Sequence, residues 1–270
     1  MTHVPATARA LLASALSVTA LLTTAACSAD GRETSRPVPV PSAAARAPSS
    51  AAPAVEQPTA TAAPTPPALS EEQVRAALIT ERDLGVPWVP TRGAATWRDG
   101  MLKAHTGSAD CRRLLDVLYT EEPFGAPTGP HAVVALDDSS NGTQLRYQIA
   151  AHRPADVDRV LAWLGTLPEK CERFTAATAR AGAQDVEVAE LPLPEAGDAR
   201  HALRVTMSGE TADGEPTYFT VDVAAVRVGQ DTITLTNGGF GEVLSEITQA
   251  VAQLGAERLS EIGRQSRVRI

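Results

Sequence analysis

Two hydrophobic periods divide the chain from Ser70 onward. A period near 3.6 marks "SEEQVRAALIT", where Ser70 stands as an N-cap before two acids and Val74, Ala77 and Leu78 fall on one face. "SADCRRLLDVLYT" repeats the pattern, with Ser108 as cap and Leu114, Leu115 and Leu118 beside Cys111 on the packing side. The period then becomes two. His131 to Leu136 and Leu145 to Ala151 flank "DDSSNG", which predicts a hairpin turned at Asn141-Gly142. Val157, Val160, Leu161 and Leu164 return to a helical stripe, and Pro168 predicts a fresh helical segment carrying Cys171 and Phe174.

Further strands are predicted over Val186 to Leu191, Ala202 to Ser208, Tyr218 to Val228 and Asp231 to Thr236. Leu203, Val205 and Met207 alternate with Arg204 and Thr206, while Phe219, Val221 and Val223 alternate with Thr220 and Asp222. "VGQD" reads as the tight turn between the last two strands. A closing amphipathic helix is expected from Gly241 to about Ile262, with Leu244, Ile247, Val251 and Leu254 inward. Antiparallel strands interspersed with helices predict an α+β fold: an antiparallel β-sheet with helices packed on one face, preceded by a disordered tether.

The tether follows from the first 69 residues. Arg9 precedes an uncharged run from Ala10 to Leu22, and Thr23 to Ala26 are small, which is the layout of an export signal over residues 1–26. The run is about 13 residues, short of the roughly 20 that span a bilayer core. Thr24-Ala25-Ala26-Cys27 resembles a bacterial lipobox, although Thr24 stands where Leu is commonest. Lipid on Cys27 would anchor the chain to the outer face of a membrane; ordinary cleavage after Ala26 is the alternative. Residues 27–69 then hold nine of the chain's 20 prolines and no aromatic residue. Such a stretch buries too little apolar area to offset its ordering entropy, so it is expected to be a disordered linker. Residues 70–270 form the remaining domain.

Charge and cysteines narrow the class. The net charge is −8, and residues 1–69 hold four arginines against three acids, so the acidity lies in the domain. That argues against nucleic acid as a partner and against direct adhesion to an anionic membrane; contact with the membrane is through the lipid anchor only. With Cys27 set aside, Cys111 and Cys171 are expected to form one disulfide in an exported chain, closing a loop of about 60 residues.

No nucleotide loop, zinc-protease helix or nucleophile elbow is present, so neither a cofactor nor a metal is expected. "TNGGFGEV" reads as a flexible strand-to-helix turn. "DDSSNG" matches the first positions of a calcium loop but has Gln148 where Glu belongs, and a hairpin turn explains it. His152 and Arg153 are expected at a solvated strand end, and Trp88, Trp97 and Trp163 in core packing rather than a ligand-stacking wall.

"ALITERDLG" (Ala77 to Gly85), Cys111, Cys171 followed by Phe174, "EAGDA" (Glu195 to Ala199), "VRVGQDTITL" (Val226 to Leu235) and the closing helix together resemble the extracellular sensor domain of the PknH type. Such domains occur on actinobacterial receptor kinases and related lipoproteins. The resemblance spans roughly Ser70 to Leu259 and implies an antiparallel sheet with flanking helices and a cleft for an extracellular ligand. It departs in two respects: the family has a two-disulfide design, and this chain has no kinase domain, so any signal would pass through a membrane partner. The expected function is a non-catalytic sensor or binding lipoprotein whose ligand is a small molecule or envelope component. The strand faces nominate Arg146, Tyr147, Arg204 and Tyr218 as ligand contacts. An envelope interaction module without a small ligand is the alternative, and a cell-wall hydrolase a more distant one.

Overall fold

At the centre of the sheet, "FTVDVAAVRV" has neither a consistently polar nor a consistently apolar side, and the structure shows why. The computed structural model describes residues 68–268, apart from 94, 96, 179 and 212. Nine strands form one sheet among these residues: β1 (Trp88–Pro90), β2 (Ala104–His105), β3 (His131–Asp138), β4 (Gln144–Ala151), β5 (Arg173–Thr178), β6 (Gly182–Glu190), β7 (Ala199–Glu210), β8 (Pro216–Val228) and β9 (Asp231–Phe240). Their spatial order is β1-β3-β4-β9-β8-β7-β6-β5-β2, with every neighbouring pair antiparallel. The α+β class and the antiparallel sheet with helices packed on it are therefore as expected.

The helices do not keep to one face. Phe219, Val221, Val223 and Ala225 of β8 join a core with α3 (Ala109–Thr120) and α4 (Pro154–Lys170). Ala224 and Val226, on the opposite face by strand alternation, join a second core with α1 (Glu71–Ala76) and α5 (Ser245–Val268). A strand buried on both faces loses the clean apolar/polar alternation that a one-faced sheet would impose. A short helix, α2 (Glu81–Leu84), completes the second layer, its Asp83 paired with Arg258 of α5.

Local corrections have equally specific causes. Pro168 does not start a new helix: α4 runs through it to Lys170, with Cys171 as C-cap, and forgoes the one hydrogen bond that residue 168 would have donated to the Leu164 carbonyl. Phe174 lies in β5 instead. "TNGG" is strand rather than turn, because β9 continues to Phe240 and the reversal falls at Gly241, whose φ is +88°. Gly238 fits the ladder because a Cβ there would come within 3.0 Å of Val221 Cγ2. Leu244 precedes α5 and is exposed; the inward face is built around Val251, Ala252, Ala256 and Leu259.

Cys111 and Cys171 are bonded, with Cα atoms 5.6 Å apart, and join the first turn of α3 to the end of α4. Asp110 reinforces the same junction, accepting from Trp163 Nε1 at 3.1 Å and pairing with Lys170 at 3.1 Å. Trp163 thus has a structural partner, as do buried Trp88 and Trp97. His152 is buried too, its ring tilted against Phe124 with centroids 5.5 Å apart, so it is not at a solvated strand end. No described helix is long and apolar enough to cross a membrane.

The domain begins at a polar anchor. Both carboxylate oxygens of Asp231, at the start of β9, accept from the backbone N–H of Leu69 at 3.4 and 3.2 Å. Burial pushes the Asp231 carboxyl up to about 6, and the Leu69 hydrogen bond only partly offsets this. A depression of about 500 Å³ beside it is bounded by Gln73, Gly229 and Arg264.

Candidate functional site

The second helical layer is shorter than the sheet beneath it. Its principal helix, α5, crosses β8 and β9, leaving β5, β6 and the adjoining ends of β7 and β8 uncovered on that face. Two cross-strand rows line the uncovered area. One runs Arg173–Glu187–Thr206–Thr220 and the next Thr175–Asp185–Ser208–Tyr218. Together they frame a shallow depression of about 620 Å³. Strand alternation explains the composition, since Val186, Val188, Val205, Met207 and Phe219 turn to the α4 core and send their polar neighbours here.

The polar groups are loosely paired among themselves. Arg173 Nη2 lies 3.7 Å from Glu187 Oε2, and Thr175 Oγ1 is 3.5 Å from Asp185 Oδ1. Thr220 is satisfied, donating to the Gly241 carbonyl at 2.9 Å. Tyr218 is the large aromatic group in the depression and is 51% exposed. A half-exposed ring on a strand offers apolar contact area at low ordering cost, because its backbone is already fixed.

Arg204 makes the wall between this area and α5. Its guanidinium grips Asp222 bidentately at 2.7 and 3.0 Å and donates to the Val243 carbonyl at 2.7 Å. Asp222 is fully buried and also accepts from Thr248 Oγ1 at 3.0 Å, which in turn accepts from Asn237 Nδ2 at 3.2 Å. The Asp222 hydrogen bonds hold Arg204 above its ordinary pKa. The network fixes the first turn of α5 to β7, β8 and β9, so the wall is rigid.

The four residues nominated as ligand contacts are not gathered in one place. Tyr218 lines the depression and Arg204 stands one row away on the same face. Tyr147 shares that face but is sealed beneath α5 against Gly255, with its hydroxyl unpartnered and its pKa raised by burial. Arg146, one residue along β4, must point to the opposite face. Cys27 lies outside the described residues.

On the opposite face Arg146 belongs to a second polar concentration. Glu121 follows the last turn of α3 with φ +57° and is only 4% exposed. Its carboxylate meets Arg98 Nη2 at 2.6 Å, Arg146 Nε at 2.8 Å and Thr236 Oγ1 at 3.2 Å. Burial pushes its pKa up, against the two arginines, which pull it down. The strand pattern set Arg204 and Thr206 apart from Leu203, Val205 and Met207 without marking their face as uncovered, and Asp185 fell before the expected start of its strand at Val186. Nothing in the hydrophobic pattern singled out Glu121.

Among described residues no group of three or more His, Cys, Asp or Glu side chains is placed to hold a metal ion. No protein-family model matches the chain, and no curated protein matches it. Among solved structures, it is similar to the extracellular domain of PknH from Mycobacterium tuberculosis, at 15% identity over 73% of this chain and 97% of that one, with a TM-score of 0.41. A point mutant of the protein Mog1 is similar at 11% identity over 51% of this chain and 77% of that one, with a TM-score of 0.25.

Proposed function

We propose that this chain is a cell-surface lipoprotein, anchored through Cys27, whose extracytoplasmic domain binds a ligand on the uncovered half of the sheet without transforming it. The observation that carries the reading is the pair of polar rows between Arg173 and Tyr218, held on strands and walled by the Arg204–Asp222 network. Rows of hydroxyls and carboxylates around one exposed ring suit a polar ligand, either a small molecule or an envelope component. The sequence resemblance to PknH-type sensor domains points in the same direction, with a membrane partner needed to carry any signal.

Hydrogen–deuterium exchange on the full-length chain, with and without a detergent-solubilised envelope extract, tests this. Protection confined to 173–175, 185–187, 206–208 and 218 is the expected result. Protection elsewhere, or none, overturns it. Intact mass of the membrane-extracted chain tests the anchor: diacylglycerol mass on Cys27 is expected, and an unmodified N-terminal cysteine rejects it.

One observation favours the second reading, an interaction module of the envelope. Val86, Val89 and Val133 are exposed near the β1–β3 edge, where β1 pairs only with Leu136, Asp137 and Asp138 of β3. Protection of 131–135 by an envelope protein, with the Tyr218 face unchanged, is the outcome that selects it.

A further inference from the structure

On the α4 face a compact polar cluster lies beside the two helices. Helices α3 and α4 pack over β5 to β8, while on this face β4 and β9 carry Arg146, Gln148, Thr234 and Thr236. Arg146 stands opposite Thr236 and Gln148 opposite Thr234, so the four form a square of polar side chains. Three of the four, Gln148, Thr234 and Thr236, are themselves buried. Glu121 and Arg98 close one side of this square.

We propose that this cluster binds a small oxyanion, the carboxylate or phosphate group of a ligand, through the partly exposed guanidinium groups of Arg98 and Arg146. The site lies on the opposite face from the proposed ligand surface and does not depend on it.

Charge is the first argument. Two guanidinium groups surround one carboxylate, and the C-terminal end of α3 offsets only about half a charge more. A positive surplus therefore remains in a protein whose net charge is −8. The charges are also layered. Glu121 forms the floor at 4% exposure, while the side chains of Arg98 and Arg146 are 25% and 20% exposed above it. An approaching ligand meets the cations and not the acid.

Donor excess is the second argument. Each arginine carries five N–H donors, and the two Glu121 oxygens already serve Arg98, Arg146 and Thr236. Arg98 Nε is buried without an acceptor. A buried donor left unmet is costly, and one in a cationic cluster is met most simply by an anion that draws the guanidinium toward it. Third, Glu121 is the one non-glycine residue with positive φ among the described residues. Strained backbone of this kind concentrates at ligand clamps, where surrounding contacts hold it.

The test uses the full-length chain and two probes, inorganic phosphate and acetate, titrated at ionic strength held constant with sodium chloride. The Nε–Hε NMR signals of Arg98 and Arg146 are followed, each assigned by its own Arg→Lys variant. Saturable shifts of both signals with a midpoint below about 10 mM are expected for at least one probe, and the responsive probe identifies the oxyanion. Thr234→Val, which keeps the side-chain volume, should weaken the midpoint several-fold. Glu121→Gln, which removes the negative floor, should tighten it. Shifts that rise linearly and are matched by chloride overturn the proposal, as does a Glu121→Gln chain that is folded and fails to respond.

Discussion

Gly255 sits where α5 crosses Tyr147, and the contact leaves no room for a methyl group. A Cβ at this position would overlap Tyr147 Oη and lie 2.9 Å from Ile233 Cδ1. Gly255→Ala should therefore destabilise the domain by about 1–3 kcal/mol in urea unfolding, despite the better helix propensity of alanine. The same contact makes Tyr147→Phe informative. The hydroxyl is buried without a partner, so its removal should leave stability unchanged or raise it by about 1 kcal/mol. A loss above about 1 kcal/mol would reveal a partner for the hydroxyl. Asp231 gives the pH dependence. Its folded pKa is raised from 3.8 to about 6, so the native state binds this proton more tightly than the unfolded chain. The corresponding stability is fully present below about pH 4 and is lost as pH rises to 6 and beyond, on the order of 3 kcal/mol. Asp231→Asn should flatten that part of the stability profile, measured by urea midpoints between pH 4 and 7.

The elements were legible where one period ruled. β3 and β4, the hairpin at Asn141-Gly142, α3 and the body of α4 follow from alternation and apolar spacing that neighbours did not override. β1 and β2, of three and two residues, are too short to carry any period. The end of β9 was hidden because Gly238 and Gly239 owe their place to Val221 and Thr143 across the ladder, which local sequence does not display. In the same way Thr206 was visible as one of the polar alternates of its strand, but that its face is uncovered depends on where α5 begins. The disulfide was readable from cysteine count alone, and its energetic role belongs at this scale. It closes a separation of 60 residues between α3 and α4. The double variant Cys111→Ala/Cys171→Ala should lose roughly 4 kcal/mol by the chain-entropy relation, read from denaturant unfolding. A loss under about 1 kcal/mol would assign the junction to Trp163, Lys170 and Asp110 instead.

At the scale of the whole molecule, one sheet serves two helical layers that are offset from each other. The α3/α4 layer sits over β5 to β8 and the α1/α5 layer over β3, β4, β9 and β8, so the uncovered rows of β5 to β8 and the Arg98–Arg146 cluster are each backed by the other layer. A ligand on either area therefore meets a surface stiffened from behind. Tyr218→Ala is expected to cost little stability, because the ring is half exposed, while weakening capture on that face at least tenfold. Comparison of urea midpoints with envelope-extract protection separates the two effects. Mechanically, the two ends of the sheet have different work. Tension drawn through the residues before Ala68 reaches the fold at the Leu69–Asp231 hydrogen bonds, beside the β8–β9 turn. Tyr218 stands ten residues back along β8, about 30 Å away at the rise of a strand. A steady pull there would strip Leu69 from Asp231 and peel off α1 first, so the fold would give way at its entry point while the rows at the far end kept their register.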